Sequence, residues 1–180
     1  IHVGPGYIGS VHDGSSWWDA FETVAEAVAA VTADRCEIWV AADATNRMPT
    51  SISLSKQFKT VFRGGFTGYE NSVAERPGGL LTVVDNSGGA MNNLALSGSS
   101  AVAFERFQFD RAKQRAMTMS GSGDLDLVSC TFVSNGFSTA DANIGVYAGK
   151  AVAFSGTGAL LVTNCYFAYN YQTNDVSGTG

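Results

Sequence analysis

The apolar residues of this chain alternate in short runs and never form a long stretch. Between 115 and 135, Met117 and Met119 lead into a Ser120-Gly121-Ser122-Gly123 turn, then come Leu125 and Leu127, then Cys130 and Phe132. A period of two, interrupted by Gly- and Ser-rich turns, predicts three short strands within this one segment.

The segment is then written again. Residues 115–135, RAMTMSGSGDLDLVSCTFVSN, and 150–170, KAVAFSGTGALLVTNCYFAYN, agree without a gap at eight of 21 positions, among them Cys130/Cys165, Phe132/Phe167 and Asn135/Asn170. A weaker copy begins 23 residues upstream at 92–112, with Leu94, Leu96, Val102, Phe104, Phe107 and Phe109 in the apolar places. Repetition at this period signals stacked coils, each burying its apolar face against its neighbours. Stacking puts Leu94, Met117 and Val152 in one column, Leu96, Met119 and Phe154 in the next, and Phe109, Phe132 and Phe167 in a third. Such columns belong to parallel strands about 4.8 Å apart, so the prediction is an all-β, three-sided β-solenoid.

The two steps between copies, 23 and 35 residues, differ by 12, and the extra residues fall between Asn135 and Lys150. Residues 136–149, GFSTADANIGVYAG, are therefore predicted to bulge as a loop from one corner. Upstream, Ile38-Trp39-Val40, Ile52 to Leu54, Val61-Phe62 and Leu81 to Val84 are further β-prone runs, so the coils are predicted to span 36–180.

Residues 1–35 read differently. Trp17, Phe21, Val24, Val28 and Val31 recur at spacings of four, three, four and three, which predicts an amphipathic helix, and Ser16 with Asp19 offers a capping-box-like start. Such a helix would cap the unpaired edges and open core of the first coil. After Asn170 the chain shows no comparable device, so the last rung is expected to meet neighbouring subunits, further coils or another domain. The start at Ile1 and the turn-like Ser177-Gly178-Thr179-Gly180 ending also read as a piece processed or excised from a longer protein.

Composition sharpens this picture. Only 15% of residues are charged and 21 are Gly, a balance that favours β structure with tight turns, and 180 residues suit one elongated domain. A net charge of −5 with eleven dispersed Lys and Arg argues against a nucleic-acid partner. No apolar run approaches the ~18 residues of a membrane-spanning helix. Three cysteines without C-x-x-C or Cys/His spacing suggest neither a disulfide framework nor zinc.

With the coils in place, Phe132-Val133-Ser134-Asn135 and Phe167-Ala168-Tyr169-Asn170 match an F-x-x-N repeat, and Gly88-Gly89-Ala90-Met91 matches a G-G-A-aliphatic repeat. In these motifs the chain resembles the polymorphic-outer-membrane-protein-like, right-handed parallel β-helix proteins of the pectin-lyase-like superfold. Asp13-Gly14-Ser15-Ser16-Trp17, Glu37-Ile38-Trp39-Val40-Ala41-Ala42 and Arg63-Gly64-Gly65-Phe66-Thr67-Gly68-Tyr69-Glu70 are similar to the opening of large bacterial surface β-helices. The resemblance implies a right-handed single-stranded parallel β-helix, secreted or on the cell surface, typically adhesive. The same superfold carries polysaccharide lyases and hydrolases, so fold does not choose the function.

The candidate chemistry is sparse. Asn135 and Asn170, at the same turn of successive coils, read as a side-chain amide ladder. Cys130 and Cys165 share an inward column with α-carbons ~5 Å apart, which suits two stacked buried thiols and also lies within a disulfide's range. A lyase would need outward carboxylates for calcium and a basic residue. Asp124 and Asp126 come nearest, but the column neighbours of Asp126 are Ala103 and Leu161. His2 and His12 lack the context of a triad or metal site, and no G-x-S-x-G, phosphate-binding loop, H-E-x-x-H or EF-hand pattern occurs.

Surface contact has better candidates. Asp110, Arg111, Lys113 and Arg115 gather mixed charge at one corner, and Tyr147, Tyr166, Tyr169 and Tyr171 fall near the loop and last coil. Tyr166 alternates with inward Cys165 and Phe167 and so faces out, toward a glycan or a neighbouring subunit. Trp17 of the Trp17-Trp18 pair is assigned to the core. The expectation is a non-enzymatic structural or adhesive module without cofactor or metal, self-assembling head to tail. Tyr166, Tyr169, Tyr147, Arg111 and Lys113 are its contact candidates. A lyase or glycosidase, and a glycan-binding module, are the alternatives.

Overall fold

A computed structural model describes residues 1–4, 11–43, 48–85, 92–136 and 151–170. Its strands are β1 His2–Val3, β2 Glu37–Ala41, β3 Ser51–Leu54, β4 Thr60–Phe66, β5 Thr82–Asp85, β6 Asn92–Gly98, β7 Val102–Glu105, β8 Phe107–Asp110, β9 Arg115–Met119, β10 Leu125–Val128, β11 Thr131–Val133, β12 Val152–Phe154, β13 Leu160–Thr163 and β14 Tyr166–Ala168. They form three sheets: β1-β2-β4-β7-β10-β13, β5-β8-β11-β14 and β3-β6-β9-β12, hereafter sheets 1, 2 and 3. From β4 onward the chain visits sheets 1, 2 and 3 in turn, and every pair between neighbouring coils is parallel. The fold is all-β and solenoid-like.

The register reproduces the sequence columns residue by residue. Leu94 pairs with Met117 and Met117 with Val152, while Phe109, Phe132 and Phe167 follow one another across β8, β11 and β14. Their rings stack like the strands that carry them, with centroids 5.2 Å apart for Phe109–Phe132 and 4.8 Å for Phe132–Phe167. Phe62 and Phe104 repeat the arrangement under sheet 1 at 4.6 Å. Offset-stacked rings at strand spacing fill the core without gaps between coils.

One left-handed residue turns the corner between sheets 1 and 2 in each of three successive coils. Arg106, Ser129 and Asn164 all adopt left-handed φ, at 58°, 51° and 51°, and so do Arg111, Ser134 and Tyr169 at the next corner, at 56°, 55° and 55°. A non-glycine residue there costs about 1–2 kcal/mol. The conformation keeps the corner amides in the ladder: Ser129 N donates to Thr163 O at 2.9 Å and Ser134 N to Ala168 O at 3.1 Å. Beside the second corner runs the predicted amide ladder. Asn135 Nδ2 donates to Phe109 O at 3.0 Å and to Asn170 Oδ1 at 2.8 Å, its Oδ1 accepts from Ala112 N at 3.0 Å, and Asn170 Nδ2 donates to Phe132 O at 2.7 Å. Ala112, where the weakest copy lacks Asn, is served by the next coil.

Helix is scarcer than the spacing predicts. The only α-helix among the described residues is α1, Val24–Ala29, six residues long. Its N-cap is Thr23, in a full capping box with Glu26, and Ser16 does not start it. Phe21 is taken out of any helix by β-type bonding to the first strand, with Phe21 N donating to His2 O at 2.9 Å and Gly4 N to Phe21 O at 3.1 Å. Ser16 Oγ does accept from Asp19 N at 3.2 Å, but it closes a tight loop. Val24 and Ala27 are buried, and α1 lies against β1 and β2. Among the described residues no helix is long and apolar enough to cross a membrane.

Candidate functional site

The outer face of sheet 1 is built unlike the rest of the solenoid. A bulge at Gly64-Gly65 shifts the β2–β4 register, so that Trp39 pairs with Arg63 but Ala41 with Phe66. Phe66 thereby lands on the outside, stacked on Trp39 at 4.8 Å with Trp17 tilted against it at 5.5 Å. His2 stands edge-on to both tryptophans, 4.6 Å from Trp17 and 5.2 Å from Trp39, and Arg76 lies over the Phe66 ring at 5.1 Å. Burial pushes the His2 imidazole down, so in this small outer core it packs as a neutral ring, with Nδ1 3.1 Å from Gly14 O. Alongside runs a ladder of alternating charge, in which Arg63 bridges Glu37, at 3.0 Å, and Glu105, and Arg76 also reaches Glu105. Opposite charges on adjacent strands tie the rungs together.

This outer core holds two loops face to face. Trp17 Nε1 donates to Glu70 O at 2.8 Å, joining the 11–20 loop to the loop after β4. The Glu70 carboxylate, almost fully buried, accepts from Thr67 N at 2.7 Å, Thr67 Oγ1 at 2.8 Å, Gly68 N at 3.0 Å and Tyr69 N at 3.1 Å. Burial alone would raise its pKa, but these bonds outweigh it and hold the carboxyl below its ordinary value. Between the loops opens a cleft of about 450 Å³, whose described lining includes Trp17, Trp18 and Tyr69 together with Asp43, Thr67 and Asn71. Trp18 is 57% and Tyr69 86% exposed. Large aromatics left in water on a rigid frame are unusual.

A second unusual surface lies at the other end. Leu125, Leu127 and Phe132 are completely buried, whereas their column partners Leu160, Val162 and Phe167 are 42%, 44% and 46% exposed. Outward-facing Leu161 is exposed beside them.

The sequence candidates distribute themselves around this end. Tyr166 is exposed in the outward column beyond Gln108 and Thr131, as alternation predicts. Tyr169 is exposed at the left-handed corner shared with Ser134 and Arg111, two rungs or about 10 Å from Arg111. Arg111 is already committed, its guanidinium fork gripping Asp85 with Nε–Oδ1 at 3.0 Å and Asp110 lying at 3.7 Å. Lys113 is exposed on the same corner. Tyr147 lies outside the described residues, as do Tyr171, residues 137–149 of the predicted loop and the Gly88-Gly89-Ala90-Met91 motif. The structure thus aligns Arg111 and Tyr169 on one edge and, among the described residues, does not gather the candidates into a pocket.

Asp126 has a partner that sequence reasoning missed: Lys59 reaches it across the intervening Ala103 rung. Cys130 and Cys165 are free, and each thiol donates to the equivalent carbonyl of the preceding coil, Phe104 O and Leu127 O, both at 3.4 Å. The Cys165 sulfur beside it, followed by burial, pushes the Cys130 thiol up, while the neighbouring Cys130, whose N–H donates to Cys165 Sγ at 3.4 Å, holds that of the more accessible Cys165 down. Trp18, Tyr69, Asp43 and Asn71 were not singled out by sequence. The available signal was the second tryptophan of Trp17-Trp18, which the core does not use. Among the described residues no cluster of His, Cys, Asp and Glu could hold a metal ion. Comparison with protein-family models, curated proteins and solved structures gave no match.

Proposed function

We propose that the chain is a right-handed single-stranded parallel β-helix, closed at one end by α1, that serves as an exported, cell-surface structural or adhesive module without catalytic activity. The near-universal right-handed sense of parallel crossovers supports the hand, and the packing of Val24 and Ala27 at the β1–β2 end supports the capping role. The F-x-x-N and G-G-A-Met motifs support the surface assignment by resemblance. The Lys59–Asp126 pair favours a structural use of the outward carboxylate.

The observation that carries the reading is the last rung. Leu160, Val162 and Phe167 continue columns that are otherwise wholly buried, and parallel strands with an open edge are templates for further strands. In this reading its occupant is a second copy of this chain or further coils of a longer one. Two C-terminal rungs meeting would give a closed, isologous dimer, whereas a head-to-tail filament also requires β3 and β5, the first strands of sheets 3 and 2, to receive the rung of the next copy.

Sedimentation velocity over a concentration series tests the proposal. A discrete dimer or an open-ended series, abolished by Val162→Lys with Phe167→Lys, is the expected result. A monomer at all concentrations overturns self-assembly.

A further inference from the structure

We infer that the cleft between the 11–20 loop and the loop after β4 is a binding site for a neutral oligosaccharide. The site is independent of the stacking proposed at the other end of the solenoid. Its described lining includes two exposed rings, Trp18 and Tyr69, and offers the short side chains of Asp43 and Thr67, able to accept from hydroxyls, and of Asn71, able to accept from or donate to them. A sugar ring presents an apolar face of C–H groups and an equator of hydroxyls. Flat aromatic rings beside short polar side chains complement both parts.

Charge and size narrow the ligand class. Among the described residues that line the cleft there is no Lys or Arg and one carboxylate, so uronates and sulfated sugars face Asp43 there. An aromatic cage for a quaternary ammonium group would also use rings and a carboxylate. Such a cage closes tightly around one small head, whereas about 450 Å³ lies in the ~300–1,000 Å³ range of clefts that take larger organic ligands. A short stretch of neutral sugar fits that space.

The frame is preorganised, which distinguishes this cleft from an accidental gap between loops. Trp17 is fixed in its lining by the bond to Glu70 O and by packing on Phe66, and the Glu70 carboxylate ties down the backbone of Thr67, Gly68 and Tyr69 by hydrogen bonds. Tyr69 is therefore held in water by a loop that is itself rigid. Binding there loses little entropy in the protein.

Isothermal titration calorimetry on the full chain is the test, using cellotriose, maltotriose, N,N′,N″-triacetylchitotriose and xylotriose as neutral probes, with trigalacturonate and choline as competitors of other chemistry. Saturable binding of at least one neutral trisaccharide is expected, weakened tenfold or more by Trp18→Ala and by Tyr69→Ala. Both positions are exposed, and unchanged circular dichroism would establish that the variants fold. Asp43→Lys should bring in trigalacturonate. Failure of all four neutral probes at millimolar concentration, undiminished binding in both aromatic variants, or preference for trigalacturonate or choline in the natural sequence would each overturn the assignment. Because the last rung is not involved, the Val162→Lys, Phe167→Lys variant should bind the sugar as the natural sequence does, so the two proposals fail separately.

Discussion

Residues 116–135 and 151–170 repeat the same pattern of apolar and turn positions in the same register, yet one copy lies inside the solenoid and the other has its core columns in water. Phe132 and Phe167 stack on each other at 4.8 Å, and only the first is covered on both faces. Cys130 and Cys165 donate to equivalent carbonyls, and only the first is fully buried. A repeat therefore specifies position and partners, while the energy of each side chain depends on whether another coil follows. Equivalent substitutions in the two copies measure that difference directly.

The largest contrast is expected at the phenylalanines. Phe132→Ala should cost about 3–5 kcal/mol, because it opens a cavity between two stacked rings. Phe167→Ala should cost less than half as much in dilute protein, and urea denaturation of the pair of variants reads the gap. Equal losses would mean that Phe167 is covered in solution.

Next come the amides. Asn135→Ala removes bonds to Phe109 O, Ala112 N and Asn170 Oδ1, and at about 0.5–1.5 kcal/mol for each bond it should cost roughly 2–4 kcal/mol. Asn170→Ala, in a partly hydrated position, should cost roughly half of that, measured by the same denaturation. A smaller effect is kinetic. Iodoacetamide at neutral pH should modify Cys165 well before Cys130, since Cys165 is the more accessible thiol and the neighbouring Cys130 lowers its pKa. Peptide mass spectrometry follows the order, and faster labelling of Cys130 would reverse the assignment.

The two copies can also be set against the N-terminal cleft, where the expected pH effect is the smallest. The pKa of Glu70 is lower folded than unfolded, so its stabilisation is complete above the ordinary carboxylate value of about 4.3 and is lost as pH falls through the folded value. Tryptophan fluorescence should report loosening around Trp17 only in that acid window. Glu70→Gln should remove the transition, and its persistence would place it elsewhere.

How far the sequence could be read follows from the same physics. Period-two runs and an ungapped repeat determine which residues share a column, so the pairings of Leu94, Met117 and Val152 and the amide ladder of Asn135 and Asn170 were legible. The helix was overread, because the apolar spacing of Trp17 and Phe21 serves packing against β1 and the outer face of sheet 1. Lys59 and Asp126 lie 67 residues apart, and Trp17 and Glu70 lie 53 apart, distances at which no local pattern announces a contact. The cleft depends on that second contact, so its aromatic lining could not be paired from sequence.

Hydrogen–deuterium exchange of β12, β13 and β14 as a function of protein concentration tests the stacking role of the last rung most directly. Amides of these strands should exchange quickly in dilute protein and become protected as concentration rises, while those of β9, β10 and β11 stay protected throughout. Exchange in β12–β14 that is the same at every concentration would contradict the account.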